Sequence, residues 1–364
     1  MGWLERITAI FAGVAVVSAV SLMVARSEDL PVRSRATVTV TTPAPPTAAP
    51  VRVAAVPAPT PRPAPAIATN VGAIRTTGIT SVRAHSWFAS KTVQILTPGV
   101  LLPVWERKGD FFKVMTPNEA MGWVHTSKAA TYTQASARAT SLKQATIVLD
   151  PGHGGHLPGA KGPGGLPEKT PNLDIARRVA EELSVARVFL TRNEGHAGLT
   201  YRSALANRLH ADAFISLHNN ALPDRVNSKT PGSETYYQQR SSGSKRLSGL
   251  IYEELAKSLK RFKILWGRDP FAGAKYRIGS GGHDYYSVLR RTLVPAVIVE
   301  GMFVTHAPEE ALLRRADVKE VYAEAVARGI TRYFDTKDVG SGYRDPYAKP
   351  TPGCKIRGCF EYRK

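Results

Sequence analysis

Cysteine is nearly absent from this chain. It has two, Cys354 and Cys359, both close to its end. No disulfide framework can be built from them through the body of the protein, and no second Cys/His pair lies near enough to complete a structural zinc site. In an oxidising compartment they read either as one small disulfide loop or as two free thiols. Acidic residues are also in short supply: 29 Asp+Glu stand against 49 Lys+Arg, a net charge of +20. Such a chain is drawn to polyanions, whether nucleic acid, anionic lipid or an acidic wall polymer. Long apolar runs are missing as well, with one exception. Ile7 to Ala25 is a 19-residue stretch without a charge, bounded by Arg6 and Arg26. It is long for the apolar part of a signal peptide and short for a membrane span. Residues 1–26 therefore read as a cleaved signal peptide or as a retained single-span membrane anchor. Both place the rest of the chain in the periplasm or cell envelope. That location, and the lack of any recognisable nucleic-acid motif, argues against a nucleic-acid partner.

Residues 27–69 have no apolar period. Pro31 to Pro65 alone holds ten prolines, four arginines and no acid. Such a segment cannot bury enough surface to offset its ordering entropy, and reads as an extended spacer. Residues 70–133 change character. Short β-type runs (Ile79–Arg83, Val93–Leu96, Leu101–Trp105, Phe111–Val114, Met121–Val124) alternate with turns such as Thr97-Pro98-Gly99 and Lys108-Gly109-Asp110. This spacing predicts a small all-β barrel. The stretch resembles the bacterial SH3-like domain, which opens near a Val-Arg pair, here Val82-Arg83, and closes on Gly-Trp-Val, here Gly122-Trp123-Val124. The resemblance implies wall binding; a purely structural barrel is the other reading.

From residue 145 to 336 strands and helices alternate, which predicts an α/β domain with a mainly parallel sheet flanked by helices. Buried strands are expected at Thr146–Leu149, Arg187–Leu190, Ala213–Leu217, Glu234–Tyr237 and Ala296–Val299. Helices are expected from Thr170 as N-cap with Pro171 in the first turn, then over Leu199–Leu209, Lys245–Leu259, Asp284–Arg291 and Val318–Tyr333. The stretch from Ser241 to Gly282 reads as a packing helix followed by a loop. Residues 337–364 form a polar, basic tail.

Three of the apolar strands run into a residue that can ligate or transfer a proton: Asp150-Pro151-Gly152-His153, Leu217-His218-Asn219 and Val299-Glu300-Gly301. In an open parallel sheet, ligands bind beyond the carboxyl ends of the strands. His153, His218 and Glu300 should therefore converge, although 65 and 82 residues separate them. Two imidazoles need a third ligand to hold a catalytic zinc while one position stays open. Glu168, between a glycine-rich turn and a helix start, is the natural one. Taken alone it reads as a helix-capping carboxylate; beside His153 it reads as a ligand. Of the other seven histidines, His156 is the one that could also reach the metal or line the cleft.

These residues resemble the zinc-dependent N-acetylmuramoyl-L-alanine amidases of cell-separation and sporulation hydrolases. The resemblance runs in order over residues 146–334: Leu149 to Gly155, Glu168-Lys169, Leu190-Thr191-Arg192, Arg202, Ala206-Asn207, Ala211 to His218, Val288-Leu289-Arg290, Pro295-Ala296 and Val299 to Phe303. It implies Zn2+ held by His153, Glu168 and His218, Glu300 as essential acid/base, and peptidoglycan as substrate. Arg192, Arg202 and Arg290 read as loop-tying residues or as partners of substrate carboxylates. Two positions depart from the family. Asn219 stands where a small residue is usual, and His306 where Asn is frequent. Some relatives close the cleft with an inserted helix; in this chain only the stretch from Ser241 to Gly282 could hold one, and it reads otherwise. A non-catalytic wall-binding protein and a zinc peptidase acting on stem peptides are the competing readings. An activator partner is not legible in the sequence.

Overall fold

The structure, a computed structural model, describes residues 70–221 and 225–344. The expected export segment at 1–26, the spacer at 27–69 and the two cysteines lie outside the described residues, as does most of the tail. Among the described residues no helix is long and apolar enough to cross a membrane.

Seven strands come first: β1 (Val71–Thr76), β2 (Thr80–Arg83), β3 (Thr92–Leu96), β4 (Leu101–Lys108), β5 (Phe111–Met115), β6 (Met121–His125) and β7 (Ala129–Thr133). They form one sheet in the order β3-β2-β6-β5-β4-β1-β7, with every pairing antiparallel. β1 to β6 all contribute to one apolar cluster, among them Ile74, Val82, Leu96, Leu102, Val104, Phe112 and Val124. The sheet is therefore wrapped around its own core. The sequence reading finds β2 to β6 and misses β1 and β7. In β1, Ile74 faces this core while its neighbour Ala73 packs into the next domain. With both faces buried, the alternation that marks a strand is lost. β7 is mostly exposed and has no apolar face to betray it.

The α/β domain follows: β8 (Thr146–Pro151), α1 (Lys169–Glu182), β9 (Arg187–Leu190), α2 (Leu199–Leu209), β10 (Ala213–Asn220), β11 (Arg225–Ser228), β12 (Glu234–Tyr237), α3 (Ser242–Leu259), β13 (Trp266–Arg268), β14 (Gly273–Lys275), α4 (Ser287–Arg291), β15 (Ala296–Phe303), α5 (Ala307–Leu313) and α6 (Ala316–Asp335). The central sheet has the order β14-β12-β15-β10-β8-β9. It is mainly parallel, with one antiparallel junction between β12 and β15. Alternate strand residues face opposite layers. Ile147, Leu149, Ile215, Leu217, Val297 and Val299 pack against α1, α3 and α6, while Val148, Phe214 and Ile298 pack against α2 and α4.

Several boundaries need correction. β10 and β15 run on to Asn220 and Phe303, so His218 and Glu300 lie within their strands and not beyond their ends. α1 begins at Lys169, so Thr170 lies inside the helix and not at its cap. α4 is a short helix over Ser287–Arg291, because Asp284 belongs to a hairpin closed by a bridge to Ile278. The expected loop after α3 contains β13 and β14, three residues each and too short to show a period.

The wrapped sheet and the α/β domain share a core. Ala73 and Leu101 lie in one apolar cluster with Val148, Leu205 and Phe214. The Tyr201 hydroxyl donates to the Leu101 carbonyl at 2.7 Å, and the Arg208 guanidinium stands 4.6 Å from the Trp105 ring centre. Glu119 accepts the Thr200 N–H at 2.6 Å, so a residue of the first domain caps α2 of the second.

Candidate metal centre

β8 ends in a loop whose backbone is held from behind. Asp150 is buried and accepts hydrogen bonds from Thr191 (2.6 Å), Ser216 (2.6 Å) and Arg202 (2.5 Å). Burial alone would raise its pKa, but the Arg202 charge and these bonds outweigh it and hold the carboxyl below its ordinary value. Arg202 also donates to the carbonyls of Pro151 at 2.8 Å and His153 at 2.6 Å. Arg192 donates to Pro151 and Gly152, both at 2.8 Å. Two buried guanidiniums thus occupy the carbonyls of three consecutive residues and fix the path of the chain at His153. They tie this loop, whereas Arg290 ties a different one, donating to the carbonyls of Asp284 and Tyr285 ahead of α4.

His153 itself has φ of +61°, a left-handed conformation uncommon outside glycine. The strain turns its ring toward Glu168, with His153 Nε2 3.0 Å from Oε2. His218 Nδ1 lies 2.9 Å from Oε1 of the same carboxylate. The two rings are 4.9 Å apart and nearly perpendicular. Close approach is bought with glycine: a Cβ at Gly152 would collide with the His218 ring, and one at Gly159 would stand 2.6 Å from Glu168 Oε2.

Glu168 sits just before α1, yet its side chain makes no capping bond. Both oxygens turn inward. Ala160 N–H reaches Oε2 at 3.0 Å, and Oε1 accepts from Asn172 at 3.1 Å and from the Asn219 N–H at 3.2 Å. Burial opposes its charge, but the bonds and charges of His153 and His218 prevail and hold it well below the usual carboxylate range. The loop carrying it is pinned by Glu310, whose carboxylate accepts from Gly164 N–H at 2.6 Å and Leu166 N–H at 2.9 Å.

His153, Glu168 and His218 each offer a ligand atom within 4.8 Å of the others. Two imidazoles and one carboxylate are a donor set suited to a borderline cation such as zinc, and not to calcium or magnesium, which take oxygen ligands. The donor set and its spacing fit a metal ion. His156 is outside this group; it is exposed and lies beside His196, with ring centres 4.7 Å apart and the rings tilted by 35°. His306 is buried and bonded to Glu309 at 3.0 Å, a structural arrangement at the start of α5.

Glu300 lies within β15, directly opposite His218 on β10 and opposite Glu234 on β12. Its Oε2 is buried and has no hydrogen-bond partner among the described residues. Burial first, then the charges of Glu168 and Glu234, push its pKa well above the carboxylate range, with Lys275 opposing.

Several supporting residues escape the sequence reading. Asn172 bridges Glu168 and Asn219; its spacing of four from Glu168 at the start of a helix is the one signal that points to it. Tyr322 on α6 donates to the His218 carbonyl at 3.2 Å and is fully buried. Lys275, buried, pairs with Glu234 beside Glu300, on a strand the sequence does not reveal.

Comparison with known proteins agrees on one family. The family described as N-acetylmuramoyl-L-alanine amidase matches residues 147–332. The amidase LytC of Bacillus subtilis is 35% identical over 194 residues, which cover 52% of this chain and 35% of that protein. The amidase AmiC of Neisseria meningitidis is 29% identical over 234 residues, covering 56% of each. The crystal structure of an N-acetylmuramoyl-L-alanine amidase from Clostridium difficile 630 is matched at 29% identity with a TM-score of 0.46, covering 56% of this chain and 100% of that one. The chain thus spans about a third of one curated relative and about half of the other.

Proposed function

Because the chain belongs to the N-acetylmuramoyl-L-alanine amidase family over residues 147–332, we propose that it hydrolyses the amide between N-acetylmuramic acid and L-alanine in peptidoglycan. The observation that carries the proposal is the convergence of His153, Glu168 and His218 next to an unpartnered buried oxygen of Glu300. The three ligand residues would hold Zn2+, which when bound supplies Lewis acidity, polarising a carbonyl and making a water more acidic. Glu300 takes the proton of the attacking water and returns it to the departing L-alanine nitrogen. Its high proton affinity suits the second half of that cycle, and the charge of a nearby dication favours the ionised form needed for the first. Asn172, Asn219 and Ala160 hold the Glu168 carboxylate in one orientation, so that the ligand set is pre-arranged.

The substrate implies an exported protein acting in the cell envelope. The barrel would hold or position the enzyme on the wall; its solvent-facing Trp87 and Phe88 support that role. The test is digestion of purified peptidoglycan by the full chain, with and without chelator, followed by mass spectrometry. An amidase releases intact peptides beginning with L-alanine. Peptides cut within the stem would make the chain a peptidase, and no metal-dependent product at all would make it a binding protein.

A further inference from the structure

Asn172 is fully buried on α1, one turn beyond Glu168. Its amide reaches all three segments that carry a candidate ligand. Nδ2 donates to Glu168 Oε1 at 3.1 Å and to the carbonyl of Gly152, the neighbour of His153, at 3.4 Å. Oδ1 accepts from Nδ2 of Asn219, the neighbour of His218, at 2.9 Å. These segments are the loop after β8, the start of α1, and β10. One side chain is therefore bonded to all three.

The direction of each amide follows from its surroundings. Glu168 Oε1 and the Gly152 carbonyl only accept, so the NH2 of Asn172 faces them and its Oδ1 faces Asn219. Asn219 must then present its own NH2 to that oxygen. This leaves Asn219 Oδ1 buried with no hydrogen-bond partner among the described residues. An unmet buried acceptor opposes folding, so stability does not explain this side chain. What it supplies is a donor that keeps the Asn172 amide from turning its oxygen toward the Glu168 carboxylate. The backbone N–H of Asn219, 3.2 Å from Glu168 Oε1, is a separate contact that an alanine there would keep.

We propose that Asn172 and the Asn219 side chain are positioning residues for the metal centre. Asn219 fixes the orientation of the Asn172 amide, and Asn172 holds the Glu168 carboxylate against the two histidine-bearing segments. Neither is a ligand; they act on the site as outer hydrogen-bond partners act on metal ligands. The proposal rests on the reading of His153, Glu168 and His218 as the ligand set.

The test is competition for Zn2+ between the full chain and a chromophoric chelator. It compares the parent with His153→Ala, Asn172→Ala, Asn219→Ala and the double variant Asn172→Ala/Asn219→Ala. Zinc held by the parent and lost from His153→Ala supports the ligand set; failure there overturns that reading and this proposal with it. Given that result, Asn172→Ala should weaken zinc about 10–100-fold and Asn219→Ala about tenfold. Because Asn219 acts through Asn172, the double variant should bind no more weakly than Asn172→Ala alone. With Co2+ in place of zinc, the visible absorption bands, which report ligand geometry, should shift in both single variants. The unfolding midpoint of metal-free Asn219→Ala should stay close to that of the parent, since one unmet acceptor, Asn219 Oδ1, is exchanged for another, Asn172 Oδ1. Losses that add in the double variant, parental zinc affinity in Asn219→Ala, an unaltered cobalt spectrum, or a metal-free midpoint that falls in step with zinc affinity would each overturn the proposal while leaving the ligand set intact.

Discussion

His218 and Glu300 face each other as direct partners on the parallel strands β10 and β15. Two residues 82 positions apart are thereby held at a separation set by the sheet and not by their own side chains. Tyr322 reinforces this from the opposite layer: its hydroxyl reaches the His218 carbonyl, and its ring fills the space that a Cβ at Gly301 would need. The proposed ligand and the proposed proton acceptor are thus both carried by adjacent strands of the central sheet.

Glu300→Gln should therefore separate binding from chemistry. The amide has nearly the same shape and leaves the ligand triad alone, so zinc content by elemental analysis should match the parent. Peptidoglycan hydrolysis should fall about 10²–10⁴-fold, the usual cost of removing a general base. Hydrolysis at the parental rate, with contamination excluded, would sink the assignment of Glu300.

Metal removal should be visible in stability as well as in activity. A chelator should abolish hydrolysis and lower the midpoint of thermal unfolding, and zinc should restore both. At free zinc about 100-fold above its dissociation constant, binding to the folded chain contributes roughly 2.7 kcal/mol. His153→Ala and His218→Ala should lose that zinc-dependent increment. If either variant kept it, that residue would not be a ligand.

Asp150 gives a defined pH dependence. Its native pKa lies below the ordinary 3.8, because Arg202 and the bonds from Ser216 and Thr191 overcome the effect of burial. As acid is added, the unfolded chain takes up this proton before the native chain does. The stabilisation is thus complete above about pH 4 and is lost as pH falls through the native value. Urea unfolding across the acid range should show a shallower decline for Asp150→Asn than for the parent. Parallel acid limbs would mean that the Asp150–Arg202 pair carries no pH-linked stability.

How much of this was legible beforehand depends on whether the information is local. That His153, His218 and Glu300 lie near one another is readable because each follows an apolar run of one sheet, although β10 and β15 continue past His218 and Glu300 to Asn220 and Phe303. Glu168 was ambiguous from its position alone, since a carboxylate before a helix caps more often than it ligates. Its missing capping bond and its two histidine partners are tertiary facts. Lys275 and Glu234 could not be paired from sequence, because the strand holding Lys275 is three residues long and its partner lies 41 positions away. β1 was hidden for the opposite reason: it is buried on both faces by two different cores, so no period survived.

Arg202 should be a positioning residue whose loss is felt twice. Arg202→Met removes the partner of a buried carboxylate, a change that typically costs about 3–5 kcal/mol. It also frees the carbonyls of Pro151 and His153, so the strained backbone at His153 can relax away from Glu168. Zinc affinity should drop along with stability. Arg202→Met/Asp150→Asn should recover part of the stability, since the uncompensated charge is gone, but not the zinc affinity. Recovery of both would mean that Arg202 serves Asp150 alone.

The last expectation concerns the barrel, which the sequence presents as a separate module. Glu119 reaches across to cap α2 at Thr200, two residues ahead of Arg202, and Ala73 and Leu101 complete the apolar layer over Val148, Leu205 and Phe214. Glu119→Ala should cost about 0.5–2 kcal/mol, the range for a lost N-cap, with hydrolysis near normal. Excising residues 70–133 is a larger change. It uncovers that apolar layer and leaves the Tyr201 hydroxyl without the Leu101 carbonyl, so the remaining α/β domain should unfold at a lower temperature and tend to aggregate. Because α2 carries Arg202, and Arg202 holds the His153 loop, zinc affinity should fall too. If the barrel were only a wall-binding attachment, the excised enzyme would keep its unfolding midpoint and its zinc affinity and lose only retention on peptidoglycan. Measuring all three in the same preparation therefore decides whether the barrel is a tether or part of the catalytic fold.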